Sequence, residues 1–122
     1  VNSNKNNDTM IFYGLLYIGL IFVFGIIYIC IGKGNFKLPA DEDYNFITFM
    51  YFSSITMTTL GYGDILPVTS LARGLASIQT ILGIVIIGFF LNSVASKQAE
   101  DLALLEERSC QLGLQHTMKY GY

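Results

Sequence analysis

At 122 residues the chain has room for one small domain, and 52% of its residues are hydrophobic while only 13% are charged. Soluble domains carry about a quarter charged residues, so this composition asks for an apolar solvent. A net charge of -2 argues against nucleic acid as a partner.

Residues 1–8 are polar and asparagine-rich, as a mobile or interfacial tail would be, and the first residue is Val1 rather than Met, as in a processed or excerpted chain. From Thr9 to Gly32 there is no charge. As a helix, Met10 to Ile31 would reach about 33 Å, enough to cross a hydrocarbon core of about 30 Å. Tyr13, Tyr17 and Tyr28 supply amphipathic rings along this segment, and Gly14, Gly19 and Gly25 let a second helix approach closely. The apolar run is too long for the core of a signal peptide, so none is expected. The segment predicts an outer helix over about 9–32.

A polar turret follows at 33–43, containing Pro39 and ending in Asp41, Glu42 and Asp43. Carboxylates favour the start of a helix, so these acids are expected to cap the next one, or to concentrate cations if repeated around a pore mouth. Residues 44–58 are apolar and aromatic, but a stretch of about 15 is too short to span. They predict a re-entrant helix, whose C-terminal end would aim partial negative charge at whatever follows. Ile65 to Thr69 reads as an extended return, since Pro67 disfavours helix at Leu66. A second uncharged segment, Leu75 to Ala95, predicts an inner helix over about 71–95, with Arg73 snorkelling to the headgroups.

From Ser96 the chain turns charged, with Leu102, Leu105 and Leu112 on one helical stripe, which suggests that the inner helix continues into the cytoplasm. Residues 96–122 read as a cytoplasmic tail or a linker to a further domain. The stripe suits either a contact between subunits or a solvated end, and 109–122 has no clear periodicity. Cys30 and Cys110 sit in such different settings that no disulfide is expected, no metal-ligand spacing exists, and His116 stands alone.

Between the two spanning segments lies the connection at 59–64, Thr59-Leu60-Gly61-Tyr62-Gly63-Asp64. Turning successive carbonyls to one side needs alternating dihedrals, some left-handed, which glycine adopts without a Cβ penalty. Gly61 and Gly63 flank Tyr62 for that reason, and the Thr59 hydroxyl adds one more oxygen. Carbonyl rings suit a cation that must shed its water without being held too tightly.

The pattern Thr56-x-x-Thr59-x-Gly61-Tyr62-Gly63-Asp64 resembles the signature of potassium channels, whose filter, with Val where this chain has Leu60, is the standard case of such carbonyl chemistry. A bare Gly-Tyr-Gly fits any glycine-rich turn; nine residues in this order between two spans are specific. Asp64, Pro67, Val68, Thr69, Arg73 and Gly83 also stand at the spacings of the two-transmembrane KcsA-type bacterial channels, a likeness covering 44 to about 95. The resemblance implies an all-α membrane protein with two transmembrane helices, a pore helix and a filter loop, assembled from this chain and three identical subunits around a four-fold axis. It implies K+ bound at Thr59, Leu60, Gly61 and Tyr62, with Gly63 completing the filter and no other cofactor. Tyr51 and Phe52 would form an aromatic cuff, although this chain has no Trp for it. Tyr51 could hold Asp64, with Thr56 in support; Ile55 stands where some relatives place a Glu partner for that Asp.

By the same resemblance Gly83 would be a gating hinge, although close helix packing explains a glycine there equally well. Thr58, Ile84, Ile87, Leu91 and Ala95 would line the cavity or gate; a helix this apolar can also turn those residues to lipid. Lys5, Lys97, Arg108 and Lys119 balance Lys33, Lys37 and Arg73, so charge does not orient the chain. Cytoplasmic termini and a cell-membrane location are what the resemblance implies. It leaves room for a cytoplasmic gating domain or partner. No arginine-repeat segment of the voltage-sensing kind occurs in these residues, and no nucleophile–base set suggests an enzyme. The alternatives are a weakly selective cation channel and a non-conducting membrane subunit.

Overall fold

Helix formation follows the two apolar runs and overshoots both. The computed structural model describes residues 2–121. In chain order it contains α1 (Asn2–Ile31), a 3-10 turn (Lys33–Asn35), β1 (Phe36–Lys37), α2 (Phe46–Met57), β2 (Leu66–Pro67) and α3 (Ser70–Tyr120). α1 therefore includes residues expected to form a separate polar tail, Val1 lying outside the described residues. A helix nucleated in the apolar run extends at little cost, and the first turns find partners on α3. Asn6 donates to the Glu100 carboxylate at 2.9 Å, and Lys97 donates to the Asn7 side-chain oxygen.

α3 continues past residue 95, as the leucine stripe suggests. It runs for 51 residues, about 77 Å at the α-helical rise. Its last third is rich in Leu, Glu, Gln, Lys and Arg, strong helix formers that need no periodic burial to propagate. Every described residue from Asp101 onward is exposed. Both long helices meet the length and apolarity of a membrane span. Their side chains are largely bare in the single chain, as at Leu15 (65% exposed) and Ile81 (61%), whereas the core helix of a soluble domain would be covered. The fold is that of a mainly helical membrane protein with two spans and a short helix between them.

Asn35 organises the outer end. Its side-chain amide donates to the Ile31 carbonyl at 2.6 Å, and its oxygen accepts from the Thr69 hydroxyl at 2.6 Å. The Thr69 hydroxyl in turn accepts from the Ala72 N–H and caps α3. One residue thus finishes α1 and positions the start of α3, while β1 pairs antiparallel with β2, Phe36 opposite Pro67. α2 is capped by Asn45, whose side chain accepts from the Thr48 N–H at 2.9 Å. The three acids do not cap it: they lie too early in the chain, and Glu42 instead accepts from the Thr48 hydroxyl at 3.3 Å.

The core lies at this outer end. Phe24, Tyr28, Phe36, Phe49, Phe52, Ile55, Ile65 and Ala72 form one cluster between α1, β1, α2 and α3. Its rings meet edge to face, with Tyr28–Phe52 at 5.1 Å and Phe36–Phe49 at 4.9 Å between centroids. Beneath it runs a polar chain through all three helices. The Tyr28 hydroxyl donates to Gln79 Oε1 at 2.6 Å. Gln79 Nε2 donates to the Ser53 carbonyl at 3.0 Å and to Ser53 Oγ at 2.7 Å. Ser53 Oγ donates to the Ile21 carbonyl at 2.7 Å. Tyr28, Ser53 and Gln79 have no exposed surface. No buried side-chain nitrogen or oxygen among the described residues lacks a partner.

Phe49 is fully buried and holds the β1 ring of Phe36 against Tyr44. Phe49→Ala is expected to destabilise the chain by about 3–5 kcal/mol, read as a lower thermal transition in detergent; an unmoved transition would place that ring outside the stabilising core.

Candidate functional site

Four carbonyls at the end of any helix lack partners within it. At the end of α2 these are taken up by the connection that follows and by α1. The Ser54 carbonyl accepts from the Thr58 N–H at 3.0 Å, and that of Thr56 from the Thr59 N–H at 3.1 Å. The Ile55 carbonyl accepts twice, from the Leu60 N–H at 2.9 Å and the Gly61 N–H at 3.1 Å. The Met57 carbonyl accepts from the Tyr17 hydroxyl of α1 at 3.1 Å. The 59–64 segment is thus the cap of the helix before it, tied to that helix by the N–H groups of Thr59, Leu60 and Gly61.

Its backbone alternates. Thr59 (φ 60°), Gly61 (φ 49°) and Gly63 (φ 81°) are left-handed, whereas Leu60 and Tyr62 between them are not. Nothing crowds the space where a Cβ would stand on Gly61 or Gly63, so the dihedral, not packing, demands glycine there. Thr59 is the exception, a β-branched residue in a region that costs about 1–3 kcal/mol to hold. Its N–H bond to Thr56 and the two bonds on Ile55 over-determine the turn around it.

At the outer end Asp64 is gripped from both sides. Its Oδ2 accepts from the Tyr51 hydroxyl at 2.7 Å and its Oδ1 from the Ile65 N–H at 3.0 Å. The hydrogen bond to Asp64 pushes the Tyr51 phenol up to about 12, with burial and the carboxylate charge acting in the same direction. Tyr51 therefore stays a donor through the ordinary tyrosine range, and that support weakens only as pH rises toward 12. Its ring lies nearly parallel to Tyr62, 6.5 Å between centroids. Phe52, expected beside the Tyr62 ring, points instead into the core against Tyr28 and Phe36. Successive residues of a helix face different ways, so only one of the two neighbours can reach the connection within a single chain.

Below the turn, Tyr17, Met57, Thr58, Thr59, Gly83, Ile84 and Ile87 line an open cavity of about 200 Å³. Thr58, Ile84 and Ile87 are thus brought to the foot of the segment, while Leu91 and Ala95 lie further along α3. Thr56 contributes its carbonyl. Gly83 is buried, and α3 runs through it unbroken. A Cβ on Gly83 would sit 2.5 Å from the Met57 carbonyl oxygen. Close approach to backbone is reason enough for glycine at that position.

Residues 16–99 match a family described as ion channels. The chain belongs to that ion-channel family. The match takes in the second half of α1, all of α2, the connection and the first thirty residues of α3, the elements of a channel pore. Among known relatives, the chain is 29% identical over 93 residues to two-pore potassium channel 4 of Arabidopsis thaliana, covering 76% of this chain and 32% of that protein. It is 32% identical over 97 residues to two-pore potassium channel 1 of the same plant, covering 75% and 27%. A probable potassium channel protein 2 of Methanocaldococcus jannaschii is 39% identical over 54 residues, 44% of this chain and 16% of that one. The chain thus spans about a third or less of the length of these relatives. No solved structure matches it.

In this channel pore, residue patterns pointed to the connection and to the Tyr51–Asp64 bond that holds its far end, but not to what holds α2. Tyr17 of α1 reaches the tip of α2, and Gln79 of α3, itself bonded to Tyr28 of α1, reaches Ser53 within α2. Gln79 and Asn92 are the two amides inside the apolar span Leu75 to Ala95. Two outcomes follow. Tyr51→Phe removes the hydroxyl on Asp64 and is expected to raise sodium leak or speed inactivation; unchanged flux would mean that the Ile65 N–H holds Asp64 unaided. Gly83→Ala presses on the Met57 carbonyl and is expected to lower stability by about 1–3 kcal/mol. Because that carbonyl adjoins Thr58 and Thr59, the variant should disturb ion preference as well as opening. An unmoved thermal transition would show that α3 yields there freely, as a hinge does.

Proposed function

We propose that four copies of this chain surround one axis and conduct potassium passively across a membrane, with the carbonyls of Thr59, Leu60, Gly61 and Tyr62 and the Thr59 hydroxyl as the ion ligands. The observation that carries this reading is the left-handed alternation at Thr59, Gly61 and Gly63 in a connection between a re-entrant helix and a spanning one. A ladder of carbonyls from one chain cannot enclose an ion, so assembly belongs to the mechanism. The exposed Leu60 (57%) and Tyr62 (68%) side chains are then covered by neighbouring copies. Several sites in file let one arriving ion displace the next.

Potassium as the permeant ion rests on the filter residues and on relatives described as potassium channels. Tyr51, Thr56 and Asp64 support the filter, and Gly63 completes it. Thr58, Ile84 and Ile87 line the cavity beneath it, where an ion can remain hydrated. Gating bends α3 at Gly83 and closes an apolar constriction at Leu91 and Ala95 by dewetting. Both termini lie in the cytoplasm, and a gating domain or partner acts on α3 beyond residue 95.

The test is flux in liposomes from the purified chain, potassium against sodium, with barium as blocker. Potassium flux that barium stops and sodium does not replace is the expected result. Equal fluxes would make this a weakly selective cation pore. A chain that cross-links to no tetramer and passes no ion would be a non-conducting subunit.

A further inference from the structure

Gln79 is the only residue of α3 whose side chain is both fully buried and bonded to another helix on each of its polar atoms. The amide is used to capacity: its oxygen accepts from Tyr28 on α1, and its two hydrogens go to the carbonyl and the hydroxyl of Ser53 on α2. No other side chain of that length does both. A carboxylate would accept from Tyr28 but face the Ser53 carbonyl with no hydrogen to give, and an ammonium would leave the Tyr28 hydroxyl without an acceptor. The reversed amide would set oxygen against oxygen at Ser53, so the network itself orients it.

Ser53 is two residues before Ile55, whose carbonyl carries the Leu60 and Gly61 amides at 2.9 and 3.1 Å. α2 has 12 residues and is capped by the connection it supports, so a shift at Ser53 is delivered to Leu60 and Gly61 with little loss. Gly83, one turn after Gln79, rests on Met57 at the end of the same helix. Two successive turns of α3 therefore hold α2 at its middle and at its tip. We propose that Gln79 is a positioning residue for the ion-selective turn: the Tyr28–Gln79–Ser53 chain sets the height of α2, and with it the spacing of the carbonyls at Thr59 to Tyr62. The inference rests on the reading of those carbonyls as the potassium ligands. Because the same amide anchors α3, displacement of that helix alters the ion-selective turn as well as the constriction below.

Two measurements on the full chain in detergent and liposomes test this. One is the K+/Na+ flux ratio; the other is the rise in thermal transition when K+ replaces Na+, which reports ion binding without conduction. The variants are Ser53→Ala, which removes the hydroxyl and tolerates the helix, and Gln79→Met, which keeps length and removes all three of its bonds. Phe24→Leu, a core change with no polar bond to α2, is the control for stability loss alone.

Ser53→Ala is expected to lower the flux ratio about two- to tenfold, the factor that a net buried hydrogen bond is worth. It should also shrink the K+-specific thermal shift, with Gln79→Met larger in both and Phe24→Leu unchanged in both at equal or greater loss of transition temperature. If Ser53→Ala keeps the wild-type ratio and shift, the proposal is wrong whether or not Gln79→Met assembles. It is equally wrong if Phe24→Leu falls as far as Ser53→Ala, since stability alone would then explain the effect. A wild-type chain that shows neither selectivity nor a K+-specific shift overturns the potassium reading itself, and this inference with it.

Discussion

Within a bilayer a polar group has no water to turn to, so an amide in an apolar helix must find every partner inside the protein. Gln79 does so, and the three helices are arranged around its solution. Its oxygen takes the Tyr28 hydroxyl and its nitrogen takes Ser53, which reaches on to the Ile21 carbonyl. Apolar packing between helices in lipid discriminates weakly, since lipid tails are as apolar as the side chains they replace. A satisfied chain of hydrogen bonds is directional, and it fixes the depth and rotation of the short helix between the long ones. The aromatic cluster above then fills the remaining space.

The segment between α2 and β2 solves a second problem of unsatisfied groups. Ending a helix in the middle of a membrane leaves carbonyls bare. Here Thr58 to Gly61 and Tyr17 turn their donors back onto Ser54, Ile55, Thr56 and Met57. The left-handed residues that allow this also leave the segment's own carbonyls without a helical partner. Capping the helix and freeing a row of acceptors are thus one backbone arrangement. Asp64 closes it at the outer end through Tyr51 and the Ile65 amide.

Much of this was legible in residue order. Two uncharged runs, a run too short to span between them, and glycines flanking Tyr62 placed the helices and the turn. Helix ends were read less well, for a physical reason. Asn2 to Asp8 looked like a separate segment because its polarity changes, and the helix that the leucine stripe suggests past Ser96 runs further than its periodicity, to Tyr120. A helix already nucleated continues through any sequence that does not forbid it. Asn45, not the acidic triplet, caps α2, because a cap is decided by which side chain can fold back on an N–H three residues ahead. Phe52 was placed beside Tyr62 by resemblance to an aromatic cuff, while its helical position turns it to the core.

The supports of the site come from far apart. Tyr17 meets Met57 across forty residues and Tyr28 meets Gln79 across fifty-one. No local pattern encodes such a pairing. Composition and spacing dictate a membrane pore chain and the left-handed positions of its central turn, because hydropathy and glycine's dihedral freedom are properties of each residue and its near neighbours. The Tyr51–Asp64 bond was legible as well, being a contact across thirteen residues. That Tyr17 and Gln79 hold α2, and that Gly83 serves as a seat for Met57, follow only from the packed fold. A hydrogen bond between helices depends on their relative depth and rotation, and those are set by all the contacts at once.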